Sequence, residues 1–169
     1  MKPLLYVDGY NIIGAWAEAE KNAWPLDECR DRLTLLLEDY AGYTGQEVWL
    51  VFDGHKSDRM LRSVEQKALL TLVYTKHGET ADQYIERMCQ RLPRYREARV
   101  ATSDSVEQTL ILGRGATRLS ARELLGELRR ERSRGKTRQS AAPASGRGAV
   151  REALTTEQLE QLEQLRRQK

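Results

Sequence analysis

Short apolar runs that alternate with segments of helical spacing constrain the fold of this chain more than any other sequence feature. Parallel neighbouring strands need a crossover connection, so this alternation predicts an α/β fold with a mainly parallel sheet covered on both faces. The predicted strands are residues 4–8, 47–53, 69–74, 99–103 and 117–119. The predicted helices are residues 26–43, 80–92, 105–112 and 120–132, while residues 58–68 fit neither pattern.

Four aspartates stand where these runs end: Asp8 in LLYVDGYN, Asp53 in VWLVFDG, Asp82 in GETADQYIE and Asp104 in ARVATSD. Three follow strands directly, and a capping box of Thr80 and Gln83 places Asp82 in the first turn of a helix. Ligand sites in parallel sheets lie beyond the carboxyl ends of the strands, so we expect these carboxylates to converge there. Oxygen ligands of this kind suit Mg²⁺ or Mn²⁺, which support phosphodiester hydrolysis.

Each of these acids also has a structural interpretation. An aspartate at a strand end is commonly a turn former or a helix cap. Asp53 precedes a glycine in a turn dipeptide, and Asp104 is placed to cap the next helix. Asp8 is harder to explain in this way, because its neighbour Asn11 lies in an apolar stretch where an amide needs a hydrogen-bonding partner. We expect Asn11 to hold a water molecule or a phosphate oxygen.

Charge is distributed unevenly along the chain. Residues 1–113 contain 14 Lys and Arg against 18 Asp and Glu, whereas residues 114–169 contain 14 against 7. Clustered positive charge is the electrostatic footprint of nucleic-acid binding, although a solvated helix end is the alternative. The candidate RNA-binding residues are Arg114, Arg118, Arg129, Arg130, Arg132, Arg134, Lys136 and Arg138.

The C-terminal part differs in composition from the rest. We predict a nuclease-like domain over residues 1–132, a flexible basic linker over 133–148 and an amphipathic helix over 149–169. A narrow leucine stripe in this last helix is typical of a docking or coiled-coil seam. The oligomeric state is therefore an open question, with a dimer through this helix as one alternative. The chain has no signal-peptide pattern and no apolar run long enough to cross a bilayer, so we expect a cytoplasmic protein without a membrane partner. Cys29 and Cys89 are too isolated to form a zinc site or a disulfide framework.

Two other classes of α/β protein fit the sequence poorly. A haloacid-dehalogenase-like phosphatase needs a second aspartate two residues after the first, where this chain has Tyr10. A dinucleotide-binding domain needs a glycine-rich turn after the first strand, and DGYNIIG does not supply one.

The motifs LLYVDGYNII, VFDG, GETADQYIE and VATSD, in this order, resemble the NYN domain of the PIN-like nuclease superfamily in its bacterial YacP-like branch. The resemblance covers residues 1–128. It implies a Rossmann-like three-layer PIN fold with Asp8, Asp82 and Asp104 as metal-site positions, Asn11 assisting and Asp53 as a further acidic candidate. It also implies a Mg²⁺- or Mn²⁺-dependent endoribonuclease that cleaves single-stranded RNA, with messenger RNA as substrate and the ribosome as an open partner. A catalytically silent RNA- or ribosome-binding module with the same fold is the remaining alternative.

Overall fold

The computed structural model describes residues 1–54, 60–102 and 116–141. Six strands and five helices lie within these ranges. In chain order they are β1 (Leu4–Asp8), α1 (Gly9–Gly14), α2 (Ala17–Lys21), α3 (Leu26–Thr44), β2 (Val48–Phe52), β3 (Ser63–Lys67), β4 (Leu70–Tyr74), α4 (Ala81–Gln90), β5 (Ala98–Thr102), β6 (Ala116–Ser120) and α5 (Ala121–Ala141).

The strands form one six-stranded sheet in the order β3-β4-β2-β1-β5-β6. All neighbouring pairs are parallel except β3 and β4, which are antiparallel. Strand β1 is central, and its five residues are all buried, as expected for a parallel strand covered on both faces. The predicted α/β fold with a mainly parallel sheet is therefore confirmed.

Two apolar cores lie on opposite faces of the sheet. On one face Leu5, Val7 and Leu50 pack with residues of α1, α2, α3 and α5. On the other face Tyr6 and Val100 pack with α4. Alternate residues of a strand point to opposite faces, so neighbours such as Leu5 and Tyr6 belong to different cores. Up to residue 133, the described parts of the chain thus form the three layers expected of this fold.

Three elements were not predicted from the sequence. Helices α1 and α2 are only six and five residues long, too short to show a helical period. Strand β3 is an edge strand with four of its five residues exposed, so the apolar alternation of a half-buried strand is missing. Within residues 60–68, the segment that fitted neither pattern is therefore largely a strand.

Helix α5 extends further than predicted. It runs to Ala141, so residues 133–141 are helical and the predicted flexible linker is wrong for this part. The segment consists largely of good helix formers, and the cost of about 1 kcal/mol for Gly135 does not stop the helix. Residues 1–133 form one compact unit, and residues 134–169 form a second. The predicted C-terminal helix over 149–169 and the predicted helix over 105–112 lie outside the described residues.

A polar cluster fixes the edge of the sheet where the parallel strands begin. The Tyr40 hydroxyl lies 2.9 Å from Gln46 Oε1 and 3.1 Å from Glu127 Oε2, and Arg99 donates to Glu127 at 2.5 Å. Gln46 in turn donates to the Pro3 carbonyl at 2.8 Å. These bonds tie α3 and α5 to β1 and β5 at the edge opposite to the strand-end acids. In the described part of the chain, no helix is long and apolar enough to span a bilayer.

Candidate active site at the carboxyl edge of the sheet

Asp8 ends strand β1 and caps helix α1, so two elements fix its carboxylate. The Asn11 backbone N–H lies 3.4 Å from Asp8 Oδ1, and the Asn11 side chain donates to Asp8 Oδ2 at 2.8 Å. Asn11 also donates to the Thr102 hydroxyl at 3.3 Å. Since Val7 pairs with Ala101 in the sheet, the following residues, Asp8 and Thr102, stand side by side at the carboxyl edge. Asn11 therefore bridges the ends of β1 and β5.

Helix α4 brings Asp82 to the same edge. Its predicted capping box is present, with the Thr80 hydroxyl accepting from the Gln83 backbone and the Gln83 side chain accepting from the Thr80 backbone. This cap holds the first turn, in which Asp82 is the second residue, and the Asp82 carboxyl group lies next to that of Asp8, whose pKa it raises. Its Oδ1 atom is buried without a hydrogen-bond partner. Buried polar atoms are nearly always paired, so this oxygen is a candidate ligand atom.

The two carboxyl groups strain each other electrostatically. Asp8 is only 5% exposed, and burial is the largest cause that raises its pKa, to about 8. The hydrogen bond with Asp82 and the charge of Asp82 raise the pKa further, because two adjacent carboxylates share a proton more readily than they both ionise. The Asn11 backbone N–H acts in the opposite direction, and the charge of Asp53 adds a smaller upward contribution. A cation at this position would replace that proton.

Asp53 follows strand β2 and approaches the pair without joining it. The loop behind it is fixed because the Thr75 hydroxyl accepts from the Gly54 N–H at 2.7 Å and donates to the Glu79 carbonyl at 2.7 Å. Among the described residues, no group of three or more His, Cys, Asp or Glu side chains is arranged to hold a metal ion. Asp53 acts on Asp8 through its charge, and its role as a further metal ligand stays a prediction.

Aromatic side chains lie beside the acids. A Cβ atom on Gly9 would come within 2.4 Å of the Phe52 ring, so the residue after Asp8 must be glycine for this ring to pack there. Phe52 contacts Tyr10 at a centroid distance of 5.0 Å and stacks with Tyr74 at 5.3 Å. Arg30 donates to the Tyr10 hydroxyl at 3.1 Å. Tyr10 thus has a packing role next to the candidate site.

Glu79 does not belong to the candidate site. It is 5% exposed and accepts from Arg62 at 2.6 Å and from Arg87. Burial raises its pKa, but the hydrogen bonds and charges of the two arginines outweigh burial and lower the pKa below its ordinary value. Both guanidinium groups also lie over the Tyr84 ring, at 4.8 Å and 5.6 Å. This acid is neutralised and anchors the loop before α4.

The structure therefore brings together three of the predicted site residues, Asp8, Asn11 and Asp82, with Asp53 nearby. Asp104 lies outside the described residues, as does Arg114. Thr102 was missed by the sequence analysis, although a polar residue at the last position of a buried strand was a usable signal. Of the basic candidates, Arg118 lies on β6, and α5 carries Arg129, Arg130, Arg132, Arg134, Lys136 and Arg138.

The donor set of the Asp8–Asp82 pair fits a hard divalent cation. Both side chains offer only oxygen atoms, they are in mutual contact, and Asp82 has an unsatisfied buried oxygen. Hard cations such as Mg²⁺ prefer such ligands and often use only one or two carboxylates, with water or substrate oxygens completing the shell. Asp8 and Asp82 are the residues that would hold it.

A family model, a related sequence and solved structures all point to the same family, the one that the sequence motifs resemble. A family model described as the YacP-like NYN domain matches residues 5–167. YacP of Bacillus subtilis strain 168 is 42% identical over 130 residues, which are 74% of this chain and 74% of that protein. The crystal structure of Rae1 (YacP) from Bacillus subtilis has a TM-score of 0.69 and 36% identity, covering 98% of this chain and 95% of that one. A mutant structure of Rae1 gives 0.68 and 38%, covering 89% of each chain. This chain belongs to the YacP-like NYN domain family.

Proposed function

We propose that this protein is a metal-dependent endoribonuclease that cleaves single-stranded RNA. Membership of the NYN family indicates a nuclease-type function related to RNA. The observation that carries the more specific proposal is the contact between the buried Asp8 carboxyl group and that of the half-buried Asp82, whose Oδ1 atom is buried and unsatisfied. Such a pair is costly unless a cation balances it, and proteins retain costly charges at functional sites.

The residues of the chain have separate tasks in this proposal. Asp8 and Asp82 hold the cation, and Asn11 fixes the orientation of Asp8 through two hydrogen bonds. Thr102 holds Asn11 in turn, so that β5 helps to position a ligand on β1. A bound Mg²⁺ or Mn²⁺ supplies an activated water and neutralises charge on the scissile phosphate. Asp104, which follows β5 by two residues, is our candidate for a third ligand.

We extend the proposal to messenger RNA as the substrate and to the ribosome as the place of engagement, on the ground of family resemblance. The alternative of a catalytically silent RNA-binding module predicts RNA binding without cleavage under every condition. The two functions therefore differ in a direct assay, provided that ribosomes are included as one condition.

The test is cleavage of single-stranded RNA by the purified chain with Mg²⁺ or Mn²⁺, in the presence and absence of ribosomes. We expect internal cuts that EDTA abolishes, and a loss of at least about 100-fold in rate for Asp8→Asn, Asp82→Asn or Asp104→Asn, because each removes a charge that the reaction requires. Asp39→Asn is the matched control, since this carboxylate is exposed on α3. Cutting by Asp8→Asn at the wild-type rate would show that the activity comes from elsewhere.

A further inference from the structure

A groove away from the carboxylates lies on the α3 and α5 side of the sheet. Its volume is about 440 Å³, within the range of pockets that hold small organic ligands. Residues of α5, α3 and the connection between α1 and α2 form its walls, and neither Asp8 nor Asp82 is among them. Three arginines line it, Arg122, Arg129 and Arg132, against a single acid, Glu18. The groove is therefore positively charged.

These three arginines share one face of α5. Spacings of seven and then three residues place them on one side of a helix, together with Leu125. No hydrogen bond or ion pair engages their guanidinium groups among the described residues, whereas Arg99 and Arg62 elsewhere are paired with acids. Arg130 is exposed like Arg129 but does not line the groove. Three unpaired guanidinium groups around one concavity are suited to phosphate, which arginine binds through paired N–H donors.

Apolar surface forms the floor between these charges. Leu36 of α3 and Leu125 of α5 are half-buried, and Trp16 packs edge-on against Trp24 with ring centroids 5.4 Å apart. A neighbouring depression of about 250 Å³ shares Trp16 and Leu36 with the groove. Arg32 covers the Trp24 ring there at 3.9 Å. Phosphate-binding groups beside an apolar and aromatic floor are the combination that unpaired nucleic acid requires.

We infer that this groove binds an unpaired segment of the RNA strand outside the point of cleavage, with phosphates held by Arg122, Arg129 and Arg132 and a base held against the Leu36–Leu125 floor. This inference rests on the proposed function. Asp8 caps the start of α1, whereas the groove residues Ala15 and Trp16 follow its end, and the six residues of α1 span about 9 Å at 1.5 Å per residue. A stacked strand advances about 3.4 Å per nucleotide, so the segment in the groove is about three nucleotides from the scissile phosphate.

The first test compares two triple variants for binding to fluorescent oligouridine, both in the Asp8→Asn background. One is R122Q/R129Q/R132Q. The matched control, K2Q/R91Q/R94Q, removes three exposed basic residues that lie outside the groove and are not RNA-binding candidates, and it causes the same change in net charge. We expect the groove variant to lose at least about tenfold in affinity. The slope of log affinity against log salt concentration should become shallower by about two, since each phosphate contact on a single strand contributes about 0.7. Equal losses in both variants would overturn the inference.

The second test locates the RNA directly. Oligouridine containing 4-thiouridine, irradiated in complex with the Asp8→Asn chain, should crosslink to peptides containing Trp16 or Leu125. Crosslinks confined to other peptides would mean that another partner, such as an acidic protein segment, occupies the groove, and would refute the inference.

Cleavage kinetics separate this inference from the proposed function. With RNA reaching about eight nucleotides on each side of the cut, the groove variant should raise KM about tenfold at unchanged kcat, and with about two nucleotides on each side it should match the wild type. Suppose that metal-dependent cleavage requires Asp8 but is the same for the groove variant and for RNA of either length. This result would refute RNA binding in the groove and would still support the nuclease. RNA binding that depends on the groove arginines, without cleavage under any condition, would refute the nuclease function and would still support RNA binding in the groove.

Discussion

Asp8 and Glu79 are equally buried acids near the same edge of the sheet, yet their surroundings are opposite. Each is 5% exposed. Glu79 accepts hydrogen bonds from two arginines, and these lower its pKa despite its burial. Asp8 has a second carboxyl group, Asp82, as its neighbour, so burial and this acid together raise its pKa. Burial alone therefore does not tell whether an acid supports the fold or opposes it.

The difference separates a structural acid from a functional one. The Glu79 cluster is satisfied within the protein, and it connects the loop before α4 with Arg62 near β3. The Asp8–Asp82 pair is incomplete within the protein and is completed by a proton or a cation. A protein that retains such a pair is less stable without its ligand, and reduced stability of this kind is common at functional sites. The comparison can be tested by making the same chemical change, carboxylate to amide, at both positions.

The largest change in stability is expected for Glu79→Gln. The amide cannot neutralise the two arginines, so we expect the free energy of unfolding to fall by about 2–3 kcal/mol. This estimate is below the usual 3–5 kcal/mol for a broken buried ion pair because the Arg62 and Arg87 side chains are about one-third exposed to water. Urea unfolding followed by circular dichroism measures the change. An unchanged urea midpoint would show that the cluster does not contribute to stability.

Asp8→Asn should have the opposite effect. In metal-free protein the amide removes the repulsion with Asp82 but keeps the size of the side chain, so we expect unfolding to cost about 1–2 kcal/mol more at pH 8, given 1.36 kcal/mol per unit of pKa shift. The figure is set well below the full shift because the amide is itself a polar group whose burial has a cost. Unfolding in urea with EDTA measures it. Destabilisation by Asp8→Asn would contradict the electrostatic interpretation of the pair.

The sign of the pH dependence provides the control for this prediction. The pKa of Asp8 rises from 3.8 to about 8 in the folded state, so the folded chain binds more protons than the unfolded chain between these values. Stability of the metal-free wild type should therefore fall as pH rises through this interval, relative to Asp8→Asn, and the difference should level off above pH 8. Glu79 acts oppositely, since its lowered pKa contributes stability that is lost only in acid. Added Mg²⁺ should stabilise the wild type more than Asp8→Asn.

Much of this arrangement could be predicted from local sequence. The buried strands have continuous apolar runs, and the capping box that carries Asp82 involves four consecutive residues, so both signals are contained in short windows. The contact of Asn11 with Asp8 lies within three residues. Convergence of these windows at one edge then followed from the rule that parallel strands share their carboxyl ends.

What could not be predicted depends on residues distant in sequence. The Asn11–Thr102 bond joins positions 91 residues apart, and nothing in either window specifies that bond. The arginines that neutralise Glu79 come from before β3 and from the second turn of α4, so its structural role was not visible. Arg122, which lines the groove, was likewise missed. It precedes the dense basic cluster in sequence, and only its position on the groove side of α5 marks it as a candidate.

The smallest expected effect concerns Thr75, which links the loop after Asp53 to Glu79. Thr75 joins the loop after Asp53 to the Glu79 backbone through two hydrogen bonds of 2.7 Å. Thr75→Val leaves the buried Gly54 N–H and Glu79 carbonyl without this partner, and we expect a loss of about 1–2 kcal/mol in unfolding free energy. Thr71→Val on β4, the strand that Thr75 directly follows, is the matched control, since its buried hydroxyl has no partner and its removal should be neutral or slightly stabilising. If both variants unfold at the same urea concentration, the Thr75 bonds do not couple Asp53 to Glu79, and the two acids are held at the edge independently.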